Sequence, residues 1–252
     1  MSTTILPLEA SGLTYEAGRK RLIDRVSFTL KAGTRTVILG PNGAGKSLLL
    51  RLCHGLLRPT GGALRWRGGA PDPRGRQAMV FQQPVMLRRS AVANLAYVLA
   101  SRGVSRRDRT ARLADGLART GLAHLARTPA RVLSAGEQQR LALARAWITD
   151  PEVIFLDEPT ASLDPAATRA VEDIVLAIHQ TGTTVVLTTH DLGQARRLAE
   201  DVMFLYRGQI LERGPAEAFF DRPATSEARA FIAGELISHN EMERAYEIAE
   251  DN

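Results

Sequence analysis

The chain has 252 residues, 44% of them hydrophobic, and carries 33 lysines and arginines against 27 acids for a net charge of +6. That size and apolar share point to a soluble globular protein with one sizeable core and room for an inserted subdomain, and the excess of arginine suits an anionic partner. The single cysteine, Cys53, excludes an internal disulfide, and no run approaches the ~18 apolar residues of a membrane-spanning helix or has the pattern of a secretory signal.

Leu6 to Tyr15 and Val26 to Leu30 read as short strands joined through a turn-like Glu16-Ala17-Gly18, a spacing that favours an antiparallel sheet. The apolar run Val37-Ile38-Leu39 then enters Gly40-Pro41-Asn42-Gly43-Ala44-Gly45-Lys46-Ser47, and Leu48-Leu49-Leu50 follows. Glycines at this spacing let backbone N–H groups approach a polyphosphate, and the next helix adds the positive end of its dipole. Lys46 is placed to pair with β- and γ-phosphate, and Ser47 to bind Mg²⁺. An ordinary glycine-rich turn is the competing reading, and the strand-like and helix-like flanks argue against it. The helix is expected to run through Leu57 and to stop at Arg58-Pro59-Thr60-Gly61-Gly62.

Strand signals return at Ala63 to Trp66 and Gln77 to Phe81. From about Ser90 to Trp147 alanine, leucine and arginine recur at helical spacing, which marks a helical insertion. Its stretch Arg102 to Arg112 is arginine-rich without interleaved aromatics and reads as a solvated helix face. Val153 to Leu156, Thr184 to Thr188 and Val202 to Leu205 are β-rich apolar runs separated by helices at Pro165 to Gln180 and Asp191 to Glu200. Such alternation implies a parallel sheet covered by helices. The final stretch reads as helical, ending in an acidic tail, Glu241 to Asn252.

Asp157 and Glu158 end the run Val153 to Leu156, where a doubly wound sheet opens onto its ligand crevice. Asp157 is suited to hold Mg²⁺ through its water shell, and Glu158 to polarise a water for in-line attack on γ-phosphate. His190 closes the run Val185 to Thr189, and because Asp191 is the better helix cap, the imidazole is left free to touch a γ-phosphate oxygen. His54, His124, His179 and His239 lack metal-ligand spacing and read as structural.

With Leu133-Ser134-Ala135-Gly136-Glu137-Gln138-Gln139-Arg140 in view, the chain resembles the nucleotide-binding subunits of ATP-binding cassette (ABC) transporters, from about Leu8 to Arg222. The resemblance implies an α/β phosphate-loop NTPase fold with a mixed, mainly parallel core sheet, an N-terminal antiparallel β subdomain and an inserted α-helical subdomain. It divides the chain into an ATPase domain of residues 1–240, with core segments 1–89 and 148–240 and the insertion at about 90–147, and a tail of residues 241–252. By the same resemblance Tyr15 stacks on adenine, Gln82 senses Mg²⁺ and the membrane partner, and Asp164 ends the loop between two sites. Ser134, Gly136 and Glu137 contact the ATP held by another subunit's Lys46. Read physically, Tyr15 also suits simple strand packing and Ser134 an ordinary N-cap. Ala135 and Glu137 depart from the family's glycine and glutamine. Alanine fits if its φ is negative, and a carboxylate near phosphates adds repulsion.

The resemblance further implies an ATPase using ATP and Mg²⁺, working as a head-to-tail pair of copies on the cytoplasmic face of the membrane. It would drive separate permease subunits and depend indirectly on an extracytoplasmic solute-binding protein. Phe81-Gln82-Gln83-Pro84-Val85-Met86-Leu87-Arg88-Arg89-Ser90 with Val92-Ala93-Asn94-Leu95 looks most like tungstate importer subunits, then phosphate, molybdate and amino-acid importers. An exporter ATPase stays open. Members acting on DNA or ribosomes carry a long coiled coil or a second cassette, which this sequence lacks, so no nucleic-acid partner is expected.

Overall fold

The computed structural model describes residues 4–67 and 73–235; the acidic stretch Glu241 to Asn252 lies outside them. Strands β1 (Leu8–Ala17) and β2 (Lys20–Leu30) form the expected antiparallel hairpin. Strand β3 (Arg35–Leu39) leads through the glycine loop into helix α1 (Lys46–His54). Here the structure shortens the expected helix by three residues. Gly55 takes the left-handed conformation (φ 82°) and its N–H closes on the last carbonyls, a common helix stop. Strand β4 (Gly61–Trp66) pairs with the free edge of β1, giving a three-stranded sheet in the order β2-β1-β4.

The second sheet contains β5 (Gln77–Val80), β6 (Val153–Asp157), β7 (Thr184–Thr189), β8 (Asp201–Tyr206) and β9 (Gln209–Pro215), with β3 at its centre, in the order β5-β6-β7-β3-β8-β9. All pairs are parallel except β8 with β9. Strand β9 corrects the reading of the C-terminal stretch as helical throughout. Only Ile210 and Leu211 among its residues are strongly apolar and none is fully buried, as an edge strand permits, so its apolar signal is weak.

Side chains alternate across the parallel strands and fill two cores. Val37, Leu39, Ile154, Leu156, Val185 and Leu187 face one side; Ile38, Phe155, Val186 and Met203 face the other. Burial on both faces explains why these strands read as unbroken apolar runs. On the second side lie α1 and the antiparallel sheet, which contributes Leu8, Leu13, Ile23 and Phe28. The first side receives helices α2 (Ala91–Ser101), α3 (Arg106–Arg119), α4 (Ala135–Trp147), α5 (Pro165–Gln180) and α6 (Leu192–Leu198). Helices α7 (Ala216–Asp221) and α8 (Ser226–Ala233) complete the described chain.

The insertion has no core of its own. Leu95 of α2 and Leu117 of α3 belong to the same cluster as Leu141 and Leu143 of α4 and Val185 and Leu187 of the sheet. Helix α4 is the seam, packed on α2, α3, α5 and β5. Its first turn approaches α5 at Gly136, where an added Cβ would stand 2.7 Å from Ala167 Cβ. Replacing Gly136 with alanine should therefore destabilise the fold by about 1–3 kcal/mol, the usual range for overpacking. Combining it with Ala167→Gly should recover most of that loss, as urea unfolding of the single and double variants would measure.

Candidate nucleotide site

The parallel register sets the C-terminal ends of three strands level. Leu39 of β3 pairs with Thr189 of β7, and Thr188 pairs with Asp157 of β6. The loop of residues 40–45 emerges from β3 at this rim. Two of its glycines are required by close approach: a Cβ on Gly40 would strike the Leu205 carbonyl oxygen, and one on Gly45 (φ 102°) would lie 2.9 Å from Ile23 Cδ1. Ala44 is buried and its carbonyl accepts from Gly208 N–H at 2.9 Å, while Asn42 and Gly43 form the exposed tip beside half-buried Pro41.

Lys46 begins α1 and is only 5% exposed. Its Nζ donates to the carbonyls of Gly40 (2.9 Å) and Pro41 (3.1 Å) and pairs with Glu158 Oε1 at 3.2 Å, which uses the three donors of an ammonium. Ser47 Oγ donates to Asp157 Oδ1 at 2.7 Å. Asp157, 3% exposed, also accepts from Thr188 Oγ1 at 3.0 Å and has Arg51 3.8 Å from its other oxygen.

Glu158 stands in the left-handed region (φ 43°), with its N–H held by Thr188 Oγ1 at 2.9 Å. Its second oxygen lies 3.0 Å from His190 Nδ1. Glu158 thus bridges the buried lysine and the half-exposed histidine. Asp191 caps α6, its carboxylate accepting from Gln194 N–H at 2.8 Å, so the imidazole is free of capping duty. Lys46, Ser47, Asp157, Glu158 and His190, picked out separately along the sequence, therefore meet in one cluster.

The remaining predicted residues stand apart from it. Tyr15 is half-buried on β1 and packs against the core under the antiparallel sheet. Exposed Gln82 follows β5 and borders a cavity of about 250 Å³ with Ala135, Gln138 and the loop at residues 161–163. Ser134 caps α4 in a reciprocal box: its Oγ accepts from Glu137 N–H (3.3 Å), and Glu137 Oε2 accepts from Ser134 N–H (2.8 Å). That backbone hydrogen bond, with lesser help from Arg140, holds the Glu137 carboxyl below the usual glutamate range. Ala135 lies inside the helix and so keeps a negative φ, which accommodates the departure from glycine. Asp164 caps α5, accepting from Ala167 N–H at 2.8 Å. Among the described residues no hydrogen bond or ion pair ties Ser134, Gly136, Glu137 or Asp164 to Lys46.

Two contributors escaped the sequence reading. Arg51 falls one turn after Ser47 on α1, so helical spacing could have paired it with Asp157. Thr188 could not be found that way, because its role depends on strand register. Cys53 is buried and its thiol is pushed up to about 12 by burial, as expected of an inert core residue.

The donor set suits Mg²⁺. A serine hydroxyl beside one buried carboxylate leaves room for phosphate oxygens and water, which this ion prefers over an all-protein cage. Among the described residues no group of three or more histidine, cysteine or acidic side chains gathers as a self-sufficient metal site.

A glycine loop between strand and helix, with Lys46 and Ser47 facing an acid pair at the end of the next parallel strand but one, defines a phosphate-loop nucleotide hydrolase. The ABC transporter family model matches residues 23–161. Similar proteins include phosphate import ATP-binding protein PstB 2 of Natronomonas pharaonis, 35% identical over 91% of this chain and 87% of that protein. Methionine import ATP-binding protein MetN of Caulobacter vibrioides is 37% identical over 87% of this chain and 69% of its own length. Tungstate uptake system ATP-binding protein TupC of Peptoclostridium acidaminophilum is 35% identical over 85% of this chain and its whole length. The chain belongs to the ABC transporter family, as an ATP-binding, ATP-hydrolysing subunit.

The capping box has a measurable share in stability. Ser134→Ala should cost about 1 kcal/mol, within the range for lost N-caps, and lower Tm by about 2–4 °C for a chain of this size. Because the folded-state pKa of Glu137 is depressed, its contribution is complete above the ordinary glutamate range and is lost as pH falls through the folded value. The stability gap between wild type and Glu137→Ala should accordingly hold from pH 7 down to the ordinary glutamate range and narrow only as pH falls below it, as denaturant midpoints would show.

Proposed function

We propose that the chain energises solute import, hydrolysing ATP on the cytoplasmic face of a membrane for separate permease subunits. The observation that carries this reading is the Lys46–Glu158–His190 cluster beside Ser47 and Asp157. The N–H groups of the 40–45 loop and the Lys46 ammonium bind the β- and γ-phosphates. Bound phosphate competes for the Lys46 donors now spent on Gly40, Pro41 and Glu158. Glu158 Oε1 is then released to accept a hydrogen bond from the attacking water and polarise it. His190 engages Glu158 through Nδ1, which leaves its other ring nitrogen for a γ-phosphate oxygen. Ser47 and Asp157 would hold Mg²⁺, and Gln82 would join them when ATP is present; the ion, when bound, neutralises phosphate charge.

A second copy completes the site. Ser134 and Gly136 lie at an α4 N-terminus that is not tied to Lys46 within one copy, and a helix N-terminus with free N–H groups suits a phosphate. Tyr15 then serves adenine, and Glu137 and Asp164 border the partner's nucleotide. A groove of about 370 Å³ between β5, α2 and α4, flanked by exposed Phe81 and Val85, supports docking of a permease segment. Among the described residues no helix is long and apolar enough to cross a membrane, which accords with separate membrane subunits. For the solute we favour an oxyanion such as tungstate, delivered by an extracytoplasmic binding protein. The tungstate and phosphate relatives support this choice, and the methionine relative marks the alternative.

Glu158→Gln should lower kcat at least about 100-fold, the lower bound for losing a general base, while ATP still binds and drives the chain into a stable dimer. Size-exclusion chromatography in ATP checks the dimer, and a purely monomeric variant that still hydrolyses ATP would refute the paired site. Lys46→Ala should weaken ATP binding at least about tenfold, or about 1.4 kcal/mol by calorimetry.

A further inference from the structure

The loop that carries Glu158 is tied by two crosslinks to the elements flanking His190, strand β7 before it and helix α6 after it. One is the bond from Glu158 N–H to Thr188 Oγ1 described above. The other comes from Gln194, on the first turn of α6 and 1% exposed, whose Nε2 donates to Thr160 Oγ1 at 2.7 Å. Thr160 lies two residues after Glu158 and Gln194 four after His190, so the two crosslinks bracket the 3.0 Å contact between Glu158 and His190.

Three features indicate that the second crosslink is built in. Glu172 on α5 is 2% exposed and is clamped by Arg197, with Nε to Oε2 and the NH2 group to Oε1 both at 2.7 Å. Its Oε1 also lies 3.5 Å from Gln194 Nε2. A fixed carboxylate on that flank demands the amide's donor end, so Gln194 is oriented to donate toward Thr160. Secondly, Gln194 Oε1 is buried with no hydrogen-bond partner, a cost that an apolar side chain of the same size would avoid. Thirdly, the loop places Glu158 (φ 43°) and Ser162 (φ 75°) in the left-handed region. Such strain persists only where surroundings over-determine the backbone, and Thr160 stands between the two.

We propose that Gln194 is a positioning residue for hydrolysis: through Thr160 it holds the 158–162 loop so that Glu158 faces both Lys46 and His190. The proposal rests on the reading that Glu158 and His190 act in the reaction. Releasing the crosslink lets the loop relax and moves Glu158, while the phosphate loop and Lys46 stay in place. The loss therefore falls on kcat and spares the KM for ATP.

Steady-state ATPase assays on the full chain test this with Thr160→Val, Thr160→Ser, Gln194→Met and the Thr160→Val/Gln194→Met double variant. The two hydroxyl- or amide-removing variants should each lower kcat about 10- to 100-fold, as small misplacements of reacting groups do, with KM within about twofold. Thr160→Ser should retain wild-type kcat, the double variant should fall no further than either single one, and Gln194→Met should unfold at a Tm no lower than wild type. Wild-type kcat in Thr160→Val, additive losses in the double variant, or a loss carried by KM would each overturn the proposal. Glu158→Gln is assayed alongside. If it keeps full activity the catalytic reading fails and the proposal with it; if it is inactive while Thr160→Val is unaffected, the positioning role alone is refuted.

Discussion

A lysine ammonium that is 5% exposed must be neutralised and hydrogen-bonded, because an unpaired buried charge costs several kcal/mol. Lys46 meets that demand with two carbonyls of its own loop and with Glu158 from another strand. The same pairing answers a second problem, since Asp157 and Glu158 place two carboxylates side by side at the end of β6. Helix α1 divides the compensation between successive turns. Lys46 faces Glu158, while Ser47 and Arg51, one turn apart, face Asp157. This balance depends on β3, β7 and β6 lying side by side in that order, parallel and with level ends.

Elsewhere one residue serves both fold and site. Ser134 satisfies an orphan N–H of α4, and Gly136 lets α4 approach Ala167 of α5. These requirements account for serine and glycine at those positions without any ligand. They also leave the start of α4 exposed at Ser134 and Ala135 beside the capped start of α5. Structural necessity thus prepares the surface that the paired-site reading uses. Glu137 sharpens the contrast with glutamine: ionised through its cap, it adds negative charge where a partner's phosphate would arrive, and its capping bond partly spends that charge.

Legibility in the sequence followed the range of the interactions. The phosphate loop, the acid pair and the alternation of strand and helix are local patterns with local causes, and α5 spans Pro165–Gln180 as its pattern predicts, with Asp164 as its N-cap. Failures came where tertiary geometry decides. Edge strand β9 mixes Ile210 and Leu211 with polar residues in no clean alternation, whereas α1 stops at Gly55 for a local reason, its left-handed C-terminal cap. Thr188 gains its place from strand register, and Gln194 from a helix packed against another loop. Neither relation has a sequence spacing to betray it. Tyr15 and Gln82 are assigned by family likeness alone: in the fold Tyr15 packs against the core and Gln82 borders a cavity.

The loop after β6 connects these scales. At one end Glu158 touches Lys46 and His190; at its centre Thr160 is held by Gln194; at the other end residues 161–163 border the cavity shared with Gln82 and the first turns of α4. Beyond Gln82 lies the groove beside Phe81 and Val85, where α4 contributes Arg145, whose guanidinium pKa is lowered by burial. The 158–162 loop is strained at Glu158 and Ser162 and pinned twice, at Glu158 N–H by Thr188 and at Thr160 by Gln194. Its middle link, the Gln194–Thr160 bond, involves neither the Lys46 cluster nor the lining of the groove, so at Thr160 the loop is held independently of both.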